Sequence, residues 1–123
     1  SDQIASLRRE KTGLELSYIR KACAVTSDAF NALIQELSKK NLHTEMEVVF
    51  FLERYIRSRN CSLAFPIITA MGKNAAIPHH IPVSAKLTRG FLLVDFGARY
   101  RNYCADMTRC VFLGTPSRKE KDD

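Results

Sequence analysis

Two aspartates, Asp95 and Asp106, lie in the stretch "LLVDFGARYRNYCADMTR" (92–109), whose other residues favour a buried β-strand. Arg101 and Asn102 at its centre can form a two-residue hairpin loop, because Asn tolerates a left-handed turn position. Pairing outward from that loop sets Asp106 opposite Gly97 and puts Asp95 one diagonal step away on the same face. Diagonal neighbours are about 7–8 Å apart at the backbone, close enough for two leaning side chains to share a ligand. Any even loop length keeps this arrangement, and an odd one sends the acids to opposite faces. Two acids on one buried strand face repel unless a cation or a shared proton offsets them. A divalent metal held by hard carboxylate oxygens is the economical account. A plain turn or salt-bridge role stays open at this point, since Arg99 or Arg109 could neutralise either acid.

The other residues with chemical potential are His79 and His80, in "GKNAAIPHHIPVSAKLTRG" (72–90). Glycines at both ends, two prolines and weak periodicity make this segment a loop. On spacing alone the pair reads as surface histidines, and His43 falls between two expected helices.

The elements that must position these residues can also be read. In "TGLE", Thr12 can cap a helix while Glu15 reaches back to it. Leu16, Ile19, Cys23, Phe30, Leu33 and Leu37 recur at helical spacing and give the expected buried stripe of a helix running to about Lys39. "TEME" repeats the device with Thr44 and Glu47, and a second helix is expected to about Arg59. Val48, Phe51, Leu52 and Tyr55 form its apolar side. "SLAFPIITAM" reads as a strand around Ile67 and Ile68, with Pro66 favouring an edge or a bulge. Two helices followed by an antiparallel sheet make an α+β plan.

Composition removes several classes of function. At 123 residues, 46% of them hydrophobic and 26% charged, the chain suits one globular domain and not a disordered tail. No apolar run reaches the roughly 18 residues of a membrane helix, and the start lacks a signal peptide's apolar stretch. A cytoplasmic setting is the default expectation, with no membrane partner. The net charge of +6 is scattered along the chain, which disfavours a nucleic-acid partner. Cys23, Cys61, Cys104 and Cys110 are far apart and without a CxxC pair, as expected of reduced thiols.

"VDFGARYRNYCADMTR" resembles the metal-binding hairpin of the Xaa-Pro peptidases, the proline dipeptidases and aminopeptidases P of the pita-bread fold. "GKNAAIPHHIP" resembles the loop that precedes that hairpin, and both capped helices fall within the likeness. The resemblance implies that Asp95 chelates one metal and Asp106 bridges two, and that His79 is a catalytic histidine contacting substrate near the scissile bond, with His80 its substrate-side neighbour. For a complete enzyme it implies two divalent ions (manganese, cobalt or zinc) that activate water and polarise the carbonyl of the bond before proline. The substrate would be a peptide with proline in second position. The wording "DFGA" and "DMTR" is nearer to these enzymes than to methionine aminopeptidase, a second reading within the fold.

The chain departs from the family pattern in one respect. The family completes its site with a histidine and two glutamates from a second half, and no such set follows Asp106 here. The expectation is therefore the first half of a pita-bread domain over residues 12–116, preceded by a linker at 1–11 and followed by a truncated helix at 117–123. Such a piece is expected to be inactive alone, to bind metal weakly, and to form a homo-oligomer or pair with a second chain. A non-catalytic peptide-binding or protein-binding module of the same fold is the alternative.

Overall fold

The computed structural model describes residues 12–114. The expected linker at 1–11 and the expected helix start at 117–123 lie outside the described residues. The first helix, α1, spans Gly13–Ser38, and the Thr12 hydroxyl accepts the Glu15 N–H at 3.1 Å. The second, α2, spans Glu45–Ser58, with Thr44 accepting from Glu47 N–H at 3.1 Å. Each cap satisfies a backbone donor that has no partner within its helix, which fixes where the helix begins.

The buried face of α1 differs from the expected stripe. Ala22, Val25, Thr26, Ala29 and Leu33 are buried, whereas Leu16 and Cys23 are exposed. The helix lies against α2 and the hairpin, and small side chains at 22 and 29 suit that close approach. In α2 the stripe is Glu45, Val48, Leu52 and Ile56, with Phe51 and Tyr55 only half-buried. These faces meet Leu92, Val94, Phe96 and Ala98 to form one core. Each large aliphatic or aromatic side chain buried there contributes about 1.5–3 kcal/mol.

Among the described residues six strands follow: β1 (Ser62–Leu63), β2 (Ile68–Met71), β3 (Gly90–Phe96), β4 (Ala98–Tyr100), β5 (Tyr103–Cys104) and β6 (Met107–Leu113). They bear out the antiparallel plan as two three-stranded sheets, ordered β1-β4-β5 and β2-β3-β6, that share one hairpin. Pro66 falls in the gap between β1 and β2, and β2 is an edge strand, as a proline at this point favours.

The long hairpin carries both sheets in one register. Tyr100 pairs with Tyr103, Arg99 with Cys104, Phe96 with Met107 and Asp95 with Thr108. Arg101 and Asn102 both take positive φ, 46° and 70°, the primed turn that matches strand twist. The ladder breaks at Gly97, where the chain passes from one sheet to the other. A Cβ at Gly97 would collide with the Ala105 carbonyl oxygen and crowd Asp106 Cα, so only glycine allows the two strands to approach this closely.

Gly90 already begins β3, so residues 72–89 form the loop expected at 72–90, opened by a short 3₁₀ turn at Gly72–Ala76. Hydrogen bonds to the start of α2 hold it in place. Glu45 N–H donates to Ala85 O at 2.9 Å, and Leu87 N–H donates to His43 O at 2.8 Å. Among the described residues no helix is long and apolar enough to cross a membrane.

Candidate active site

Strand alternation decides where the two aspartates point. Leu92, Val94 and Phe96 are fully buried against the helices, so Phe91, Leu93 and Asp95 occupy the opposite face. Through the register, Phe112, Cys110 and Thr108 join that face, and Asp106, beyond the paired residues, is placed on it because the same register resumes on the other side of the break at Gly97. The even loop therefore sets both carboxylates on one side of the hairpin. That side is open and not buried as expected: Asp95 is half-buried and Asp106 exposed. The strand run is buried through its other face, so water can offset part of the repulsion between the acids.

Asp95 is oriented by its partner across the strands, since Thr108 Oγ1 donates to Asp95 Oδ1 at 3.0 Å. The carboxylate keeps further lone pairs, enough to serve a cation. Neither Arg99 nor Arg109 supplies the salt bridge considered above. Arg99 donates to Asn102 Oδ1 at 2.7 Å and Arg109 to Thr108 O at 2.8 Å. Two hard oxygen donors on one open face, one of them braced by a hydroxyl, fit one side of a divalent-metal site. Among the described residues no group of three or more His, Cys, Asp or Glu side chains completes it.

The histidine loop meets the same strand. A cavity of about 210 Å³ is lined by Ile68, Ala70, Ala75, Ile77 and Leu93 together with Asn74, His79, His80 and Asp95. Both histidines and the first aspartate thus share one hollow, while Asp106 faces a separate recess beside Phe65 and Cys104. His79 is exposed, and its φ of 55° is left-handed, a region that non-glycine residues enter seldom and histidine more readily than most. His80 is half-buried, with Nε2 3.0 Å from Glu45 Oε1.

Glu45, which the sequence reading passed over, is the most connected side chain of the site. It is fully buried. Oε1 accepts from Val83 N–H at 3.2 Å and faces His80 Nε2, and Oε2 accepts from Met71 N–H at 2.7 Å and Asn74 Nδ2 at 2.9 Å. Burial pushes its pKa up, yet the hydrogen bonds from Asn74, Met71, His80 and Val83 together outweigh it and hold the carboxyl below its ordinary value. Its backbone carbonyl accepts the Thr69 hydroxyl at 2.9 Å. A sequence signal did exist: an acid at 45 falls on the same stripe as Val48, Leu52 and Ile56.

Known proteins resemble the chain along nearly its whole length. The model of metallopeptidase family M24 matches residues 17–123. A Xaa-Pro dipeptidase of Pyrococcus furiosus is 34% identical over 98% of the chain, which covers 35% of that protein. The crystal structure of an X-Pro aminopeptidase from Thermotoga maritima superposes with a TM-score of 0.78 at 33% identity, over 98% of this chain and 34% of that one. An X-prolyl aminopeptidase from Caenorhabditis elegans, described as a cytosolic enzyme with a di-nuclear active site, gives 0.75 at 26% identity, over 89% of this chain and 20% of that one. The chain thus spans about a third of the length of the first two relatives. Its two helices and antiparallel sheets are those of the pita-bread prolidases and aminopeptidases P.

Proposed function

The chain belongs to metallopeptidase family M24, and on that footing we propose that it supplies two metal-binding aspartates and the substrate-side histidine loop of a Xaa-Pro peptidase. The observation that carries this reading is the cavity that His79, His80 and Asp95 line together, and the common register of the hairpin sets Asp106 on the same side. Asp95 and Asp106 would hold two divalent ions together with ligands from the portion of the relatives that this chain does not span. When bound, such ions supply Lewis acidity and lower the pKa of water. The chain's own residues do the rest. Thr108 fixes the rotamer of Asp95, and His79 contacts the peptide beside the bond that precedes proline. The apolar walls from Ile68, Ile77 and Leu93 keep water from one side of that contact.

Taken alone, the chain brings two carboxylates to this site among the described residues, so it binds metal weakly and turns over no substrate. Residues 12–116 act as the first half of a pita-bread domain that a second half, in the same or another polypeptide, completes. Scattered thiols and the cytosolic setting described for the Caenorhabditis relative support a cytoplasmic enzyme. The test is manganese titration calorimetry of this chain beside Asp95→Asn, Asp106→Asn and His79→Ala. Binding should be lost in the two aspartate variants and kept in the histidine variant. Xaa-Pro cleavage should appear only after recombination with the complementary half. Equal metal binding by all four chains would overturn the assignment of the ligands.

A further inference from the structure

From the contacts of Glu45 we infer that it is the positioning residue of the histidine loop, holding His80 with its proton on Nε2 and thereby setting His79 against the Asp95 cavity. This rests on reading His79 as the substrate-side residue. Three observations carry it. All four partners of the Glu45 carboxylate come from 71–83, the segment that bears both histidines. Met71 N–H and Val83 N–H can only donate, so the oxygens facing them must accept, and a carboxylate serves all four partners at once. The His80 nitrogen facing Oε1 then donates, so Nε2 carries a proton and Nδ1 is the ring nitrogen outside this contact.

The third observation is mechanical. Glu45 stands at the first turn of α2, and its backbone N–H and C=O are themselves bound to Ala85 and Thr69. The carboxylate therefore cannot shift without disturbing the helix start, β2 and the far end of the loop together. His79, held only by its left-handed backbone and its neighbours, takes its place from this frame. Glutamine cannot replace Glu45, because its amide nitrogen would point a donor at a backbone N–H on one side or the other.

The experiment uses this chain, labelled for nuclear magnetic resonance. In the wild type, the His80 imidazole should carry a slowly exchanging Nε2 proton, and the His79 ring should show proximity to Ile77 or Leu93 protons. Glu45→Gln and His80→Ala should abolish the His79 proximities, whereas His80→Gln, whose amide nitrogen can still donate to Glu45, should keep them. Recombined with the complementary half, Glu45→Gln and His80→Ala should lower kcat for Xaa-Pro cleavage about tenfold or more, as small misplacements do, with KM within about threefold, and His80→Gln should restore most of it. Proximities that persist without Glu45 overturn the inference, as does a loss in His80→Gln equal to that in His80→Ala. If Glu45→Gln fails to fold, the His80 pair decides. A recombined wild type with no Xaa-Pro cleavage would overturn the proposed function alone, since the loop spectra are read without it.

Discussion

Thr108 and Asp95 face each other across β3 and β6, and the threonine hydroxyl donates to the carboxylate at 3.0 Å. Partners of this kind orient a ligand and tune its basicity. Thr108→Val keeps the β-branched shape at an exposed position and removes only the donor. It should leave the thermal midpoint nearly unchanged and weaken manganese binding about tenfold, read by calorimetry on the same samples. Unaltered affinity would mean that Asp95 meets the metal without help.

The break at Gly97 gives a second expectation. Gly97→Ala would drive a methyl group into the Ala105 carbonyl, a backbone atom that cannot swing aside. Overpacking of this sort costs about 1–3 kcal/mol, so the urea midpoint should fall. The same displacement carries Asp106 away from Asp95, and metal affinity should fall further than the loss of stability accounts for. Wild-type unfolding and binding in this variant would show that the strands can separate freely here.

Much of this frame was legible beforehand because it depends on local chemistry. Thr12 and Thr44 announce their helices through neighbours three residues away, and Arg101-Asn102 sets the register of the hairpin as far as Leu113. Properties set by distant contacts were less legible. Whether α1 buries Ala22 or Leu16 depends on how near α2 and the hairpin lie, which hydrophobic spacing does not encode. That the aspartate face is the open one depends on which side the helices cover. Glu45 escaped notice because an acid in the first turn is ordinary for the helix dipole, and its donors lie 26 to 38 residues further along the chain.

Glu45 also gives the chain a pH response. Its folded pKa lies below the ordinary 4.5, so its ionised form is the one the fold favours. That contribution is complete above the unfolded value and is lost as the pH falls from about 4.5 through the lower folded value. Urea midpoints measured from neutral pH down to pH 3 should therefore decline more steeply for the wild type than for Glu45→Gln, which starts lower and has no such group to titrate. Parallel declines would remove Glu45 from the acid response.

The open face that carries the aspartates also carries apolar surface. Phe91 is 54% exposed and packs edge-on against Phe112, with ring centroids 4.9 Å apart, and Leu93 continues the patch toward Asp95. Beside it, β6 pairs with β3 alone among the described strands and offers seven residues of edge. Exposed aromatic surface next to an unpaired edge favours association. The chain should therefore self-associate as its concentration rises in sedimentation equilibrium, and Phe91→Lys should shift it toward monomer without lowering its thermal midpoint. If the complementary half of an Xaa-Pro peptidase covers this same face, adding it should dissolve the self-association and raise metal affinity together. Phe91→Lys should then weaken that pairing too. Self-association that survives both the substitution and the added half would place the contact elsewhere on the chain and separate it from the aspartate face.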